Sequence, residues 1–121
     1  MATDIRSFRD LHAWRHGMRT VKLVYTATRA MPSEERFGLT VQMRRAAVSV
    51  PSNIAEGYAR QSTKDYLKHL RIARGSLAEL MTQVELAIEL SLLPRNGELE
   101  AAMAETGRVL HGLIRSIDPD E

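Results

Sequence analysis

Three short breaks divide this 121-residue chain into four stretches of helical periodicity. The first is Met31-Pro32-Ser33-Glu34-Glu35: Pro32 stops one helix and Ser33 can cap the next with its side-chain oxygen. Glu34 and Glu35 then fall in the first turn, where the positive end of the helix dipole favours carboxylates. Gln61-Ser62-Thr63-Lys64-Asp65 is the second, with Ser62 and Asp65 spaced as a capping box. The third is Leu93-Pro94-Arg95-Asn96-Gly97, where Asn96 is the candidate cap. The expected helices are 8–31, 34–60, 63–92 and 96–117, in one domain over 1–121.

Within each stretch the apolar residues step by three and four. The first helix reads Leu11, Trp14, Met18, Val21, Tyr25, Thr28; the third reads Leu70, Ala73, Leu77, Leu80, Val84, Ala87; the fourth reads Leu99, Met103, Thr106, Leu110, Leu113, Ile117. Connections this short bring sequential helices back alongside each other, so an all-α, up-down-up-down antiparallel four-helix bundle is expected. Aromatic residues make up only 5% of the chain, which favours helix over sheet. No cysteine is present, which excludes disulfides, thiolate metal sites and cysteine nucleophiles. No apolar run approaches the roughly 20 residues of a membrane span and the N-terminus lacks the apolar core of a signal peptide, so a soluble, cytoplasmic protein is expected.

The second helix departs from simple amphipathicity. Leu39, Met43, Ala46, Val50, Ile54 and Tyr58 form its core stripe, but Val41, Val48 and Ala55 repeat every seven residues on roughly the opposite side. That second seam suggests a subunit interface, against the alternative of small residues tolerated on a surface. The third helix has spare apolar positions in Ile72, Met81 and Ile88. Between the two seams runs a polar line, Gln42, Arg45, Ser49, Asn53, Glu56 and Arg60, within about 80° on the helix wheel. Ser76, Glu79 and Gln83 offer a complement on the third helix, and the facing lines are expected to form a polar network that sets register, with Arg45 beside Glu56 and Glu79. Pro51 removes one backbone hydrogen bond and should kink this helix without ending it.

Charge is unevenly spread. Residues 1–74 carry 14 Lys and Arg against 6 Asp and Glu, whereas residues 75–121 carry 3 against 9. Two readings follow: a basic face for an anionic partner or a neighbouring copy, or helices that offset one another's charge within one molecule. Arg60, Lys64, Lys68, Arg71 and Arg74 follow closely across the second break, and Arg15, Arg19 and Lys22 add a similar set on the first helix. They are candidates for binding nucleic-acid backbone, with aromatic interleaving limited to Tyr58 and Tyr66. His12 and His16 share a helix face but lack a third ligand and sit among arginines, so no metal site is expected. No phosphate loop, nucleophile elbow or paired-carboxylate motif occurs, so neither an enzyme nor a cofactor is expected.

The run Phe37 to Gly57, FGLTVQMRRAAVSVPSNIAEG, resembles the signature of the bacterial four helix bundle protein family, also called the intervening-sequence protein of 23S ribosomal RNA. The likeness continues in Phe8, Leu11 and Trp14 and in Ala73, Gly75-Ser76, Glu79 and Gln83, covering roughly residues 8 to 93. The fourth helix rests on spacing alone. In the first helix, Ala13-Trp14-Arg15-His16-Gly17 replaces the more usual aliphatic-Trp-Gln pattern, and Gly17 weakens the helix slightly.

The resemblance implies a left-handed bundle that assembles as a ring, a homopentamer, and kinship with the accessory protein of diversity-generating retroelements. It brings no catalytic residues. The resulting expectation is a non-enzymatic homo-oligomer whose basic face contacts RNA or DNA backbone. The alternative is an adaptor ring that holds a protein partner, such as a reverse transcriptase or a ribosomal component, with no nucleic-acid role of its own.

Overall fold

The computed structural model describes residues 4–121; residues 1–3 of the expected domain lie outside the described residues. Four helices carry the fold: α1 (His12–Thr28), α2 (Leu39–Ala59), α3 (Thr63–Glu89) and α4 (Gly97–Ile117), with no strand among the described residues. Each packs on two others, α1 on α2 and α4, and α3 on α2 and α4. None is long and apolar enough to cross a membrane.

The helix ends show which local signals decide. Ser62 Oγ accepts from the Asp65 amide at 3.3 Å and Asn96 Oδ1 from the Leu99 amide at 3.1 Å, so α3 and α4 begin as their caps predict. The first helix is not continuous from residue 8. Phe8–Asp10 is a 3₁₀ turn capped by Ser7 and Asp10, and extended Leu11 separates it from α1. The second helix starts at Leu39 rather than at 34. Ser33–Glu35 forms only a 3₁₀ turn, Gly38 leaves helical geometry (φ −109°, ψ −114°), and Glu35 Oε1 instead receives the Leu39 amide at 3.2 Å. α3 stops at Glu89 rather than 92 because Ser91 adopts a left-handed φ of 60°, which turns the Leu92 amide back onto the Ala87 carbonyl at 2.8 Å.

Met43, Val50, Ile54, Leu70, Leu80, Leu99, Leu110 and Ile114 fill the centre. The expected stripe of α3 is buried throughout, and α2 buries Met43, Ala46, Val50 and Ile54 of its own. The stripe of α1 is corrected. Its deepest side is Ala13, Gly17, Thr20, Val24 and Thr28, while Trp14, Met18 and Val21 are only half-buried and Tyr25 is exposed. Threonines tolerate this depth because their hydroxyls are paired: Thr28 donates to the Val24 carbonyl at 2.7 Å, and Thr20 meets Thr106 at 3.0 Å.

A Cβ at Gly17 would lie 3.4 Å from the Cβ and Cδ of Pro51, at van der Waals contact, so α1 packs directly on the proline ring with room for a methyl group. Pro51 is buried and α2 continues through it. Contacts elsewhere run in opposite numerical order: Thr28 meets Arg44, Ser49 meets Ser76, Asn53 meets His69, and Arg71 meets Asp118.

Candidate interface

α2 presents apolar side chains in two directions. Val50 and Ile54 are buried inside, whereas Val48 is 40% exposed on the other side, flanked by half-buried Val41 and Ala55. Val48 and Ala55 form one wall of an outer groove of about 310 Å³, and Trp14, Met18 and Val21 of α1 form the other. The residues misplaced in the core of α1 therefore extend the seam of α2 into a two-helix apolar surface. On α3, Ile72, Met81 and Leu86 are exposed, as is Leu90 just past its end, while Ile88 packs against the core.

The polar line of α2 is used in part. Ser49 Oγ meets Ser76 Oγ at 2.8 Å, Asn53 Nδ2 donates to the Ser49 carbonyl and Oγ at 2.9 and 3.0 Å, and Asn53 Oδ1 meets His69 Nδ1 at 3.0 Å. Because the Asn53 oxygen can only accept, His69 carries its proton on Nδ1. His69 Nε2 stands 4.0 Å from Glu56, which also accepts from Arg60 at 3.0 Å.

The expected partnership of Arg45 with Glu56 and Glu79 is not formed. Arg45 and Glu56 are separated by about 16 Å of helix rise, and Gln42, Arg45 and Glu79 are exposed outside the network. Gln83 is buried, but its Oε1 has no partner. His69, which the sequence reading passed over, lies one heptad before Ser76; extending that line backwards would have found it.

Nearby, burial pushes the Tyr66 phenol up to about 12, with Tyr58 adding to the shift. The two rings meet edge to face at 6.0 Å.

The candidate phosphate-binding cations differ in how freely they stand. Arg15 pairs with Asp10 at 3.8 Å, Arg19 with Glu98 at 3.4 Å and Arg60 with Glu56. Arg71 holds Asp118 and Glu121, and Arg74 holds Glu121. Hydrogen bonds from Arg74 and then Arg71 keep the Glu121 carboxyl below its ordinary value. Lys22, Lys64 and Lys68 are exposed, with no ion pair among the described residues. Some of the charge asymmetry is thus offset within one molecule, through Arg19, Arg71 and Arg74. No group of three or more His, Asp or Glu that could hold a metal occurs among the described residues.

Comparison with curated proteins finds no match. The model of the 23S rRNA-intervening sequence protein family matches residues 9–112. That span takes in α1, α2 and α3 whole and runs into α4, past the point where the residue-by-residue likeness ends. With a match over most of its length, the chain belongs to the 23S rRNA-intervening sequence protein family.

Proposed function

We propose that this protein is a non-enzymatic, cytoplasmic scaffold without a cofactor. Its four helices alternate in direction as a left-handed antiparallel bundle, copies join through the second apolar side of α2 into a ring of five, and the ring offers cations to the phosphate backbone of RNA or DNA. The opposite numerical order of the helix contacts supports the alternation. The observation that carries the assembly is Val48, exposed in line with an apolar groove that a solitary molecule leaves open to water. The ring form and the number five come from the family resemblance. A ring would also repeat the free Lys64 and Lys68 several times, which multiplies a weak phosphate contact.

Native mass measurement tests the assembly: a multiple of 13.6 kDa is expected, and a lone chain at high concentration overturns it. A gel-shift titration at two salt concentrations tests the binding. Affinity that falls as salt rises is expected, and no binding at low salt overturns it. The internal pairing of Arg60, Arg71 and Arg74 favours a second reading, a ring that holds a protein partner such as a reverse transcriptase or ribosomal component. A salt-sensitive gel shift that Lys64→Glu with Lys68→Glu abolishes would decide against that reading.

A further inference from the structure

Arginines in this protein are mostly tied to carboxylates, as Arg19, Arg71, Arg95 and Arg108 illustrate. Arg9, Arg29, Arg36, Arg44, Arg45 and Arg115 have no ion-pair partner among the described residues, and of these Arg36, Arg44 and Arg45 line one groove of about 510 Å³ together with Tyr25, Thr40 and Val48. Glu35, next to Arg36 in sequence, makes no ion pair with any of the three, one of its oxygens accepting from the Leu39 amide.

Two features show a built site. Arg44 is held by neutral groups: its Nε donates to Thr28 Oγ1 at 2.9 Å, and its guanidinium carbon sits 4.5 Å from the centre of the Tyr25 ring. Those contacts orient the guanidinium, leaving its charge uncompensated and its terminal nitrogens available. The second feature is Thr40, only 7% exposed, whose Oγ1 has no hydrogen-bond partner. The hydroxyl is sealed from solvent as it stands, so a partner entering the groove it lines reaches it only when the side chain turns.

We propose that this groove binds a phosphate ester. Three guanidinium groups exceed what one carboxylate neutralises, whereas a phosphate ester offers several acceptor oxygens and as many as two negative charges. Its oxygens face Arg44, Arg45, Arg36 and, once its side chain turns, the Thr40 hydroxyl; its organic part points out of the groove, clear of the Val41 and Val48 seam that a neighbouring copy covers. A free nucleotide and a phosphate of a nucleic-acid strand share this chemistry. The site is separate from Lys64 and Lys68, so it stands or falls apart from strand binding there.

Calorimetric titration of the full chain with 5′-AMP, with adenosine and with a 5′-phosphorylated single-stranded oligonucleotide tests the proposal. Binding of AMP without binding of adenosine identifies a free nucleotide; binding of the oligonucleotide alone identifies a strand. In either case Arg36→Glu with Arg45→Glu weakens binding by about tenfold or more, while Lys64→Glu with Lys68→Glu leaves AMP binding intact. Arg36 and Arg45 are exposed, and the milder Arg36→Gln with Arg45→Gln, checked by circular dichroism, controls for folding. Equal binding by the wild type and both Arg variants overturns the proposal, as does absence of binding to AMP and oligonucleotide alike. Dissociation of the oligomer with unchanged phosphate binding also overturns it and assigns the groove to a neighbouring subunit's carboxylate.

Discussion

Asn53 joins two helices through three hydrogen bonds: its amide nitrogen reaches back to Ser49 within α2, and its oxygen crosses to His69 on α3. Removing it leaves a half-buried imidazole and a hydroxyl short of a partner. Asn53→Ala should therefore destabilise the protein by about 1–3 kcal/mol, read as a lower urea midpoint with an unchanged slope. Arg45→Ala, with no intramolecular partner to lose, should stay within about 0.5 kcal/mol of the wild type. Both residues sit on one polar line in the sequence. Angle around the helix placed them together, but Asn53 is half-buried against α3 while Arg45, level with Glu79 in the same register, is turned to solvent. Ser49 and Ser76 were legible because each lies one turn or one heptad from its fellows. Arg45 and Glu56 were misread because two positions on one face can still be three turns apart, and Arg45 and Glu79 because both side chains stay in solvent.

At the scale of a helix, hydropathy reads large residues better than deep ones. The α3 stripe and the core side of α2 were plain because Met43, Val50, Ile54, Leu70, Leu77, Leu80 and Val84 mark them at helical spacing. In α1 the deep side is small or hydroxylated, Ala13, Gly17, Thr20 and Thr28, and the bulkier Trp14, Met18 and Val21 face a groove. Gly17 looked like a weakness and lies directly against Pro51. Gly17→Leu should therefore push α1 away and destabilise by about 1–3 kcal/mol or more, measured by thermal unfolding. Val48→Asp is the complementary test: the helical signal should survive while native mass falls to a single chain. Loss of folding without a change in assembly would place Val48 in the core instead. The start of α2 was hidden because Ser33 has the look of a cap; the choice was made by Gly38, which leaves helical geometry, and by Glu35, which accepts from the Leu39 amide.

For the whole molecule, the basic and acidic segments meet where Asp118 and Glu121 reach Arg71 and Arg74. Folding lowers the Glu121 pKa, so its stabilising contribution is present above its ordinary value of 4.5 and is lost as pH falls through the lower folded value. The clasp is closed at neutral pH and opens only in acid. Asp118→Asn with Glu121→Gln should release both arginines at pH 7, raising oligonucleotide affinity severalfold and steepening its salt dependence. Unchanged affinity would exclude Arg71 and Arg74 from the binding face. The chain's single tryptophan, Trp14, lies on the groove wall opposite Val48 rather than in the interior. The protein thus carries an optical gauge of whether that wall is wet. Its fluorescence should shift to the blue on concentration if siblings dry the groove, and hold its colour at every dilution if they do not.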